Sequence, residues 1–128
     1  MEEKSECSLC NIDRTKEKIF FEDKYIMILR TKNLKMHKER IMVISKRHFA
    51  EDDLADHPLT RHFEKYALDA LSDIGKKLFN YTPKFVIMDT TFATIKDHWH
   101  KVCTDLDPKS EDFEQILKTK WLKVVDTC

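Results

Sequence analysis

The segment Asp97 to Cys103, DHWHKVC, places two histidines one residue apart beside an indole and a thiol. Read as a strand over residues 98–103, it sends His98, His100 and Val102 to one face, and Trp99, Lys101 and Cys103 to the other. Two imidazoles two residues apart on one strand face lie ~7 Å apart, close enough to serve one site or two adjoining ones. The same alternation separates Cys103 from the histidines and counts against it as a shared ligand.

That reading decides the fold class, because a long helical pattern precedes it and strand patterns lie on both sides of the helix. Leu59, Phe63, Tyr66, Ala67, Ala70, Leu71, Ile74 and Leu78 recur at three- and four-residue spacing, with Pro58 suited to a first turn. Before the helix, KIFFED (Lys18 to Asp23) and YIMILR (Tyr25 to Arg30) read as two strands with a tight connection. RIMVIS (Arg40 to Ser45) reads as a third, buried strand. After the helix, Pro83 introduces KFVIMD (Lys84 to Asp89) as a fourth strand, and HWHKVC is the fifth. Pro108-Lys109-Ser110 then marks a stop, and Phe113, Ile116, Leu117, Trp121 and Val124 give a short amphipathic C-terminal helix. The expectation is an α+β fold: a five-stranded antiparallel sheet packed on one long helix, plus a C-terminal helix.

The chain has 128 residues and no repeat, low-complexity tract or Pro/Gly/Ser-rich linker, so residues 1–128 read as a single domain. Apolar residues make up 41% and charged residues 36%, the balance of a globular protein rather than a disordered one. Basic and acidic residues are equal at 23 each, which gives no general attraction to nucleic acid or anionic lipid. No apolar run approaches the ~20 residues of a membrane span, and MEEKSECSLC lacks the pattern of a signal peptide. The reading is an intracellular protein, in cytoplasm or nucleus. A single glycine excludes phosphate-cradling loops of the G-x-G-x-x-G or Walker type.

In a reducing compartment a C-x-x-C pair is metal-binding or redox-active more often than a disulfide. Cys7-x-x-Cys10 lets two thiolates converge on one ion, and a tetrahedral zinc site needs two more ligands. His48, ending the third strand, and either His98 or His100 are the natural candidates. His37 lies in a charged stretch, His57 precedes a proline and His62 belongs to the long helix, so each is set aside. A redox role for the C-x-x-C pair is the weaker alternative, since NIDRTKEK after Cys10 shows no apolar helical face.

Taken in order, these motifs resemble the histidine triad (HIT) family of nucleotide hydrolases and transferases, from about Cys7 to Cys103. CSLC resembles the C-x-F-C opening of zinc-containing members, KIFFEDKYIMIL the family's first hairpin, and IMVISKRHF its third strand ending in K-R-H. HWH falls where the family carries H-φ-H-φ-H-φ-φ, φ being apolar. The resemblance implies a structural Zn²⁺ held by Cys7, Cys10, His48 and His98. It implies His100 as the nucleophile that attacks the α-phosphorus of a nucleoside phosphoramidate, acyl-nucleotide or dinucleoside polyphosphate. A purine nucleotide or nucleotide conjugate as ligand and a homodimeric state follow from the same resemblance.

Several positions depart from the family pattern. The third triad position is Val102. The family's glycine- and glutamine-containing loop reads DTTFATIKD, with Thr94 and Lys96 as candidate nucleotide-binding residues. The acidic ribose-contacting position falls near Thr31, and the P-G-H turn reads KER, Lys38 to Arg40. An alternative register makes Lys96, His98 and His100 the triad, at the expense of the fourth zinc ligand. Three functional readings therefore stand: a HIT-type hydrolase or transferase, a non-catalytic nucleotide-binding protein, and a zinc-stapled structural module.

Overall fold

A computed structural model describes residues 9–31, 36–48, 60–88, 98–119 and 121–127. Its fold is α+β: a six-stranded sheet and two helices, rather than five strands. The strands are β1 (Ile19–Glu22), β2 (Ile26–Arg30), β3 (Arg40–Ser45), β4 (Lys84–Met88), β5 (His100–Asp105) and β6 (Leu122–Asp126). Helix α1 spans Thr60–Leu78 and helix α2 spans Phe113–Leu117. The sheet order is β1-β2-β3-β5-β4-β6, and every neighbouring pair is antiparallel.

The first hairpin is set by Asp23. Its Oδ1 accepts from the backbone N–H groups of Tyr25 (2.7 Å) and Ile26 (2.9 Å), and its own N–H donates to the Ile26 carbonyl. An aspartate whose side chain stands in for a backbone acceptor closes a turn without glycine. The β-branched and apolar runs of β2 and β3 then pair in full register from Ile26–Ser45 to Arg30–Ile41.

Helix α1 covers one face of the sheet. Ala67 and Leu71 are fully buried there against Ile26, Ile28, Ile41 and Val43, with Trp99 and Cys103 of the β5 region in the same core. Phe63 meets the Trp99 indole edge-on at 4.9 Å between centroids. Tyr66 departs from the apolar stripe expected of it: it is 43% exposed, and its hydroxyl donates to Asp23 beside the Tyr25 ring. At Gly75 the helix comes close to the sheet. A Cβ there would stand 2.7 Å from the Phe85 ring and 3.3 Å from the Cys103 sulfur. Pro58 and Leu59 lie outside the described residues.

The opposite face is covered by short segments. Leu9 packs with Met27, Leu29 and Ile44, carrying Cys10 and Ile12 onto that cluster. Ile116 of α2 packs with Val86 and Met88, with Val102, Leu106 and Leu122 around them. The C-terminal helix expected through Val124 therefore stops early. Helix α2 ends at Leu117, and Leu122–Asp126 is a strand that pairs along the whole outer edge of β4, from Met88–Leu122 to Lys84–Asp126. The physical reason lies in β4. Its outer backbone groups offer a ladder to two adjacent valines with strong strand preference, whereas a helix there would leave that edge unpaired. Among the described residues no helix is long and apolar enough to cross a membrane.

Candidate metal centre

The β3–β5 pair runs from Arg40–Thr104 at one end to Ile44–His100 at the other. At the second end the Ser45 N–H donates to the Trp99 carbonyl (3.3 Å) and the Lys46 N–H donates to the Tyr25 carbonyl. Ser45 closes the turn after β3 by donating its hydroxyl to the Arg47 carbonyl at 2.7 Å. That turn brings His48 back over the sheet, where it is buried, as is His98 on the approach to β5. Leu9 anchors the N-terminal segment on the same side and delivers Cys10.

Cys10, His48 and His98 converge, with one ligand atom from each within 4.8 Å of the others, and the group can hold a metal ion. Cys10 Sγ lies 3.0 Å from His48 Nδ1 and 3.4 Å from His98 Nδ1. The two imidazoles meet edge to face, with centroids 5.0 Å apart at 84°. Sulfur and nitrogen ligands of one tetrahedral zinc are roughly 3.5 Å apart, given zinc–sulfur and zinc–nitrogen bonds of about 2.3 and 2.0 Å. The spacing of the three atoms fits such an ion.

The hydrogen bonds around His98 sharpen the fit. Its Nε2 lies 2.8 Å from the Ser45 carbonyl oxygen, which can only accept, so Nε2 carries the proton. In the neutral ring Nδ1 then turns a lone pair toward Cys10. A backbone carbonyl that fixes the tautomer and orientation of a ligating imidazole is the usual outer support of a metal-binding histidine.

His100 is oriented the other way round. Its Nδ1 donates to the His98 carbonyl at 2.7 Å, so the neutral ring has its unprotonated nitrogen at Nε2. The residue is buried, facing away from the α1 side, and is paired with Ile44. Val102, two residues along, is packed under α2. Cys103 sits in the α1 core, where burial and the nearby Asp105 carboxylate push its thiol well above the ordinary range. A neutral thiol on the far face is no ligand to this centre, as alternation along the strand leads one to expect. Lys101 is buried too, with its ammonium 5.6 Å from the Trp121 ring centroid and 5.9 Å from that of Trp99.

A scan against models of protein families finds none that matches the chain, and a search of curated proteins finds no match.

The structure thus brings Cys10, His48 and His98 together, with His100 beside them. Cys7, Thr94 and Lys96 lie outside the described residues. Sequence reasoning set His37 aside, yet its ring is fully enclosed between two aspartates that lie 68 and 75 residues along the chain. No local pattern could have revealed it, because both partners are supplied by tertiary structure.

Proposed function

We propose that the chain is a zinc-stabilised member of the histidine triad family, in which His100 acts as nucleophile at the α-phosphate of a nucleotide conjugate. The observation that carries this reading is the opposite orientation of the two histidines of HWH. His98 turns Nδ1 toward Cys10 and His48, while His100 holds its Nδ1 proton on the His98 carbonyl and keeps Nε2 as the basic nitrogen.

The metal in this reading is zinc, with Cys7 as the fourth ligand through the C-x-x-C spacing. Bound zinc supplies rigidity, fixing the N-terminal segment to the ends of β3 and β5. The chemistry belongs to His100. Its Nε2 lone pair forms a bond to the α-phosphorus as the bond from phosphorus to the leaving group breaks. Water then attacks phosphorus and gives up a proton to solvent, while the phosphorus–nitrogen bond breaks and its electron pair returns to the imidazole. The hydrogen bond from Nδ1 to the His98 carbonyl holds the ring in orientation and eases the positive charge that develops on it during attack. Thr94 and Lys96 are the candidates to contact the phosphate, and a purine nucleotide or its conjugate is the ligand. An intracellular, reducing compartment keeps the thiolates available to the metal.

A homodimer belongs to the same reading. Because β1 and β6 are the outer strands of the sheet, a contact between copies would use one of those edges or the exposed flank of α1.

A second reading rests on Val102. That side chain is committed to the apolar cluster under α2, so the third position of the triad offers no imidazole to His100. This favours a protein that binds nucleotides without turning them over. The test is incubation with fluorogenic adenosine and guanosine phosphoramidates, with His100→Ala as control. Turnover in the wild type alone supports the enzyme. No turnover, with thermal stabilisation by nucleoside monophosphates, supports the binding protein. Neither response would remove both.

A further inference from the structure

The end of the β3–β5 pair remote from the metal centre holds a buried ionic cluster. Met36 adopts a left-handed φ of 75°, and the next residue, His37, has a side chain with no exposure. Its Nδ1 lies 2.7 Å from Asp105 Oδ1 and its Nε2 lies 2.7 Å from Asp112 Oδ1. An ionised carboxylate can only accept, so both ring nitrogens donate and the bridging ring is the imidazolium.

Among the described residues, several elements packed around the ring contribute. From β3, Arg40 Nη1 donates to Asp112 Oδ2 at 3.1 Å. From β5, the Thr104 hydroxyl lies 3.0 Å from His37 Nδ1 and donates to Asp105 at 3.3 Å. From the connection after α1, the Tyr81 hydroxyl donates to Asp105 Oδ2 at 3.1 Å, while the Lys38 N–H reaches the same oxygen at 3.2 Å. The Lys38 ammonium stands 5.1 Å above the Tyr81 ring. Two carboxylates thus face one imidazolium and one guanidinium, and the buried charges balance.

Asp112 also occupies the N-cap position of α2, but its side chain makes no capping bond there. The carboxylate that would ordinarily secure the helix start is turned inward to His37 and Arg40. Ile116 is the one buried residue of α2 itself. This five-residue helix is therefore held by one apolar side chain and one carboxylate at its start. It lies over Val102, on the same strand face as His100 and two residues along.

We propose that the Asp105–His37–Asp112 bridge is an ionic latch that fastens α2 across the sheet face carrying His100. A neutral side chain at position 37 would remove the charge-assisted hydrogen bonds that hold the two carboxylates together. Arg40 keeps its hold on Asp112 when the bridge is cut, so α2 is then loosened rather than released. The latch stands on the geometry of these side chains and does not depend on the chemistry proposed for His100.

The test is amide hydrogen exchange of the full chain, read by mass spectrometry at one pH. In His37→Gln, which keeps a polar side chain but cannot bear the charge, protection over residues 113–119 should fall about tenfold, with little change in β2 and β3. If that variant fails to fold, Asp112→Asn serves, with the same local loss expected. A variant as well protected over 113–119 as the wild type would overturn the latch. So would a loss equally large in β2 and β3.

Discussion

The two ends of the β3–β5 pair are pinned by different chemistry. At one end Cys10, His48 and His98 offer a thiol and two imidazole nitrogens to a common point. At the other, His37 bridges two aspartates and Arg40 completes the charge balance. Both clusters centre on buried histidines, yet they use the ring in opposite ways. The His98 ring donates once, to a carbonyl, and keeps a lone pair for a metal; the His37 ring donates twice and keeps none. Hydrogen-bond partners, rather than burial, decide which histidine can offer a lone pair and which donates from both nitrogens.

The largest expected effect falls at the metal end. Cys10→Ala or His98→Ala should abolish metal retention and lower stability by more than about 4 kcal/mol, as loss of a structural metal does. A chelator should reproduce this in the wild type and add nothing to either variant. Stability unchanged on complete metal removal would show that the N-terminal segment is held by Leu9 and its apolar neighbours alone.

Next is the ionic end. His37→Ala leaves two buried carboxylates facing only Arg40 and neutral donors, and should cost about 3–5 kcal/mol. This loss should be insensitive to chelator, which separates the two ends experimentally. Acid titration probes the same cluster. Burial raises the Asp112 carboxyl, but the His37 hydrogen bond and the Arg40 charge outweigh it and hold the group below its ordinary range. Its stabilisation is therefore present above the ordinary carboxylate range and is lost as pH falls through the lowered value. Urea unfolding at descending pH should show this loss in the wild type and a shallower one in Asp112→Asn.

Smaller effects test the sheet between the two ends. Gly75→Ala should gain about 1 kcal/mol of helix propensity, yet lose about 1–3 kcal/mol by driving a methyl into Phe85. The Phe85 ring is fully buried and stacked on Phe79 at 5.0 Å, so it cannot move aside and the net change should be destabilising. Thermal melts read it directly. The smallest effect belongs to Glu22, which bridges Arg14 and Lys46 near the surface. The hydrogen bonds from Arg14 and Lys46 lower its carboxyl from 4.5 to about 2. Its contribution is thus present above pH 4.5 and fades toward pH 2. Solvent screening should keep Glu22→Gln within about 1 kcal/mol.

Elements governed by local pattern were legible in the sequence, and elements governed by partners were not. The apolar spacing of α1 and the alternation of Trp99 and Cys103 against Val102 follow from backbone geometry alone. The C-terminal segment shows the limit. Phe113, Ile116, Leu117, Trp121 and Val124 have helical spacing, but an open β4 edge draws Leu122–Asp126 into a strand. Cys10 and one of His98 and His100 could be nominated because C-x-x-C and H-x-H are compact patterns of ligand types, and His48 because it ends a strand in K-R-H. His37 could not, since the aspartates that give it a role arrive from β5 and from the start of α2.

The proposed function divides labour within HWH, with His98 serving a metal and His100 the phosphorus. Metal content of purified His98→Ala and His100→Ala, measured by elemental analysis beside the wild type, tests that division most directly. About one zinc per chain is expected in the wild type and in His100→Ala, and almost none in His98→Ala. Equal metal content in the two variants would contradict it.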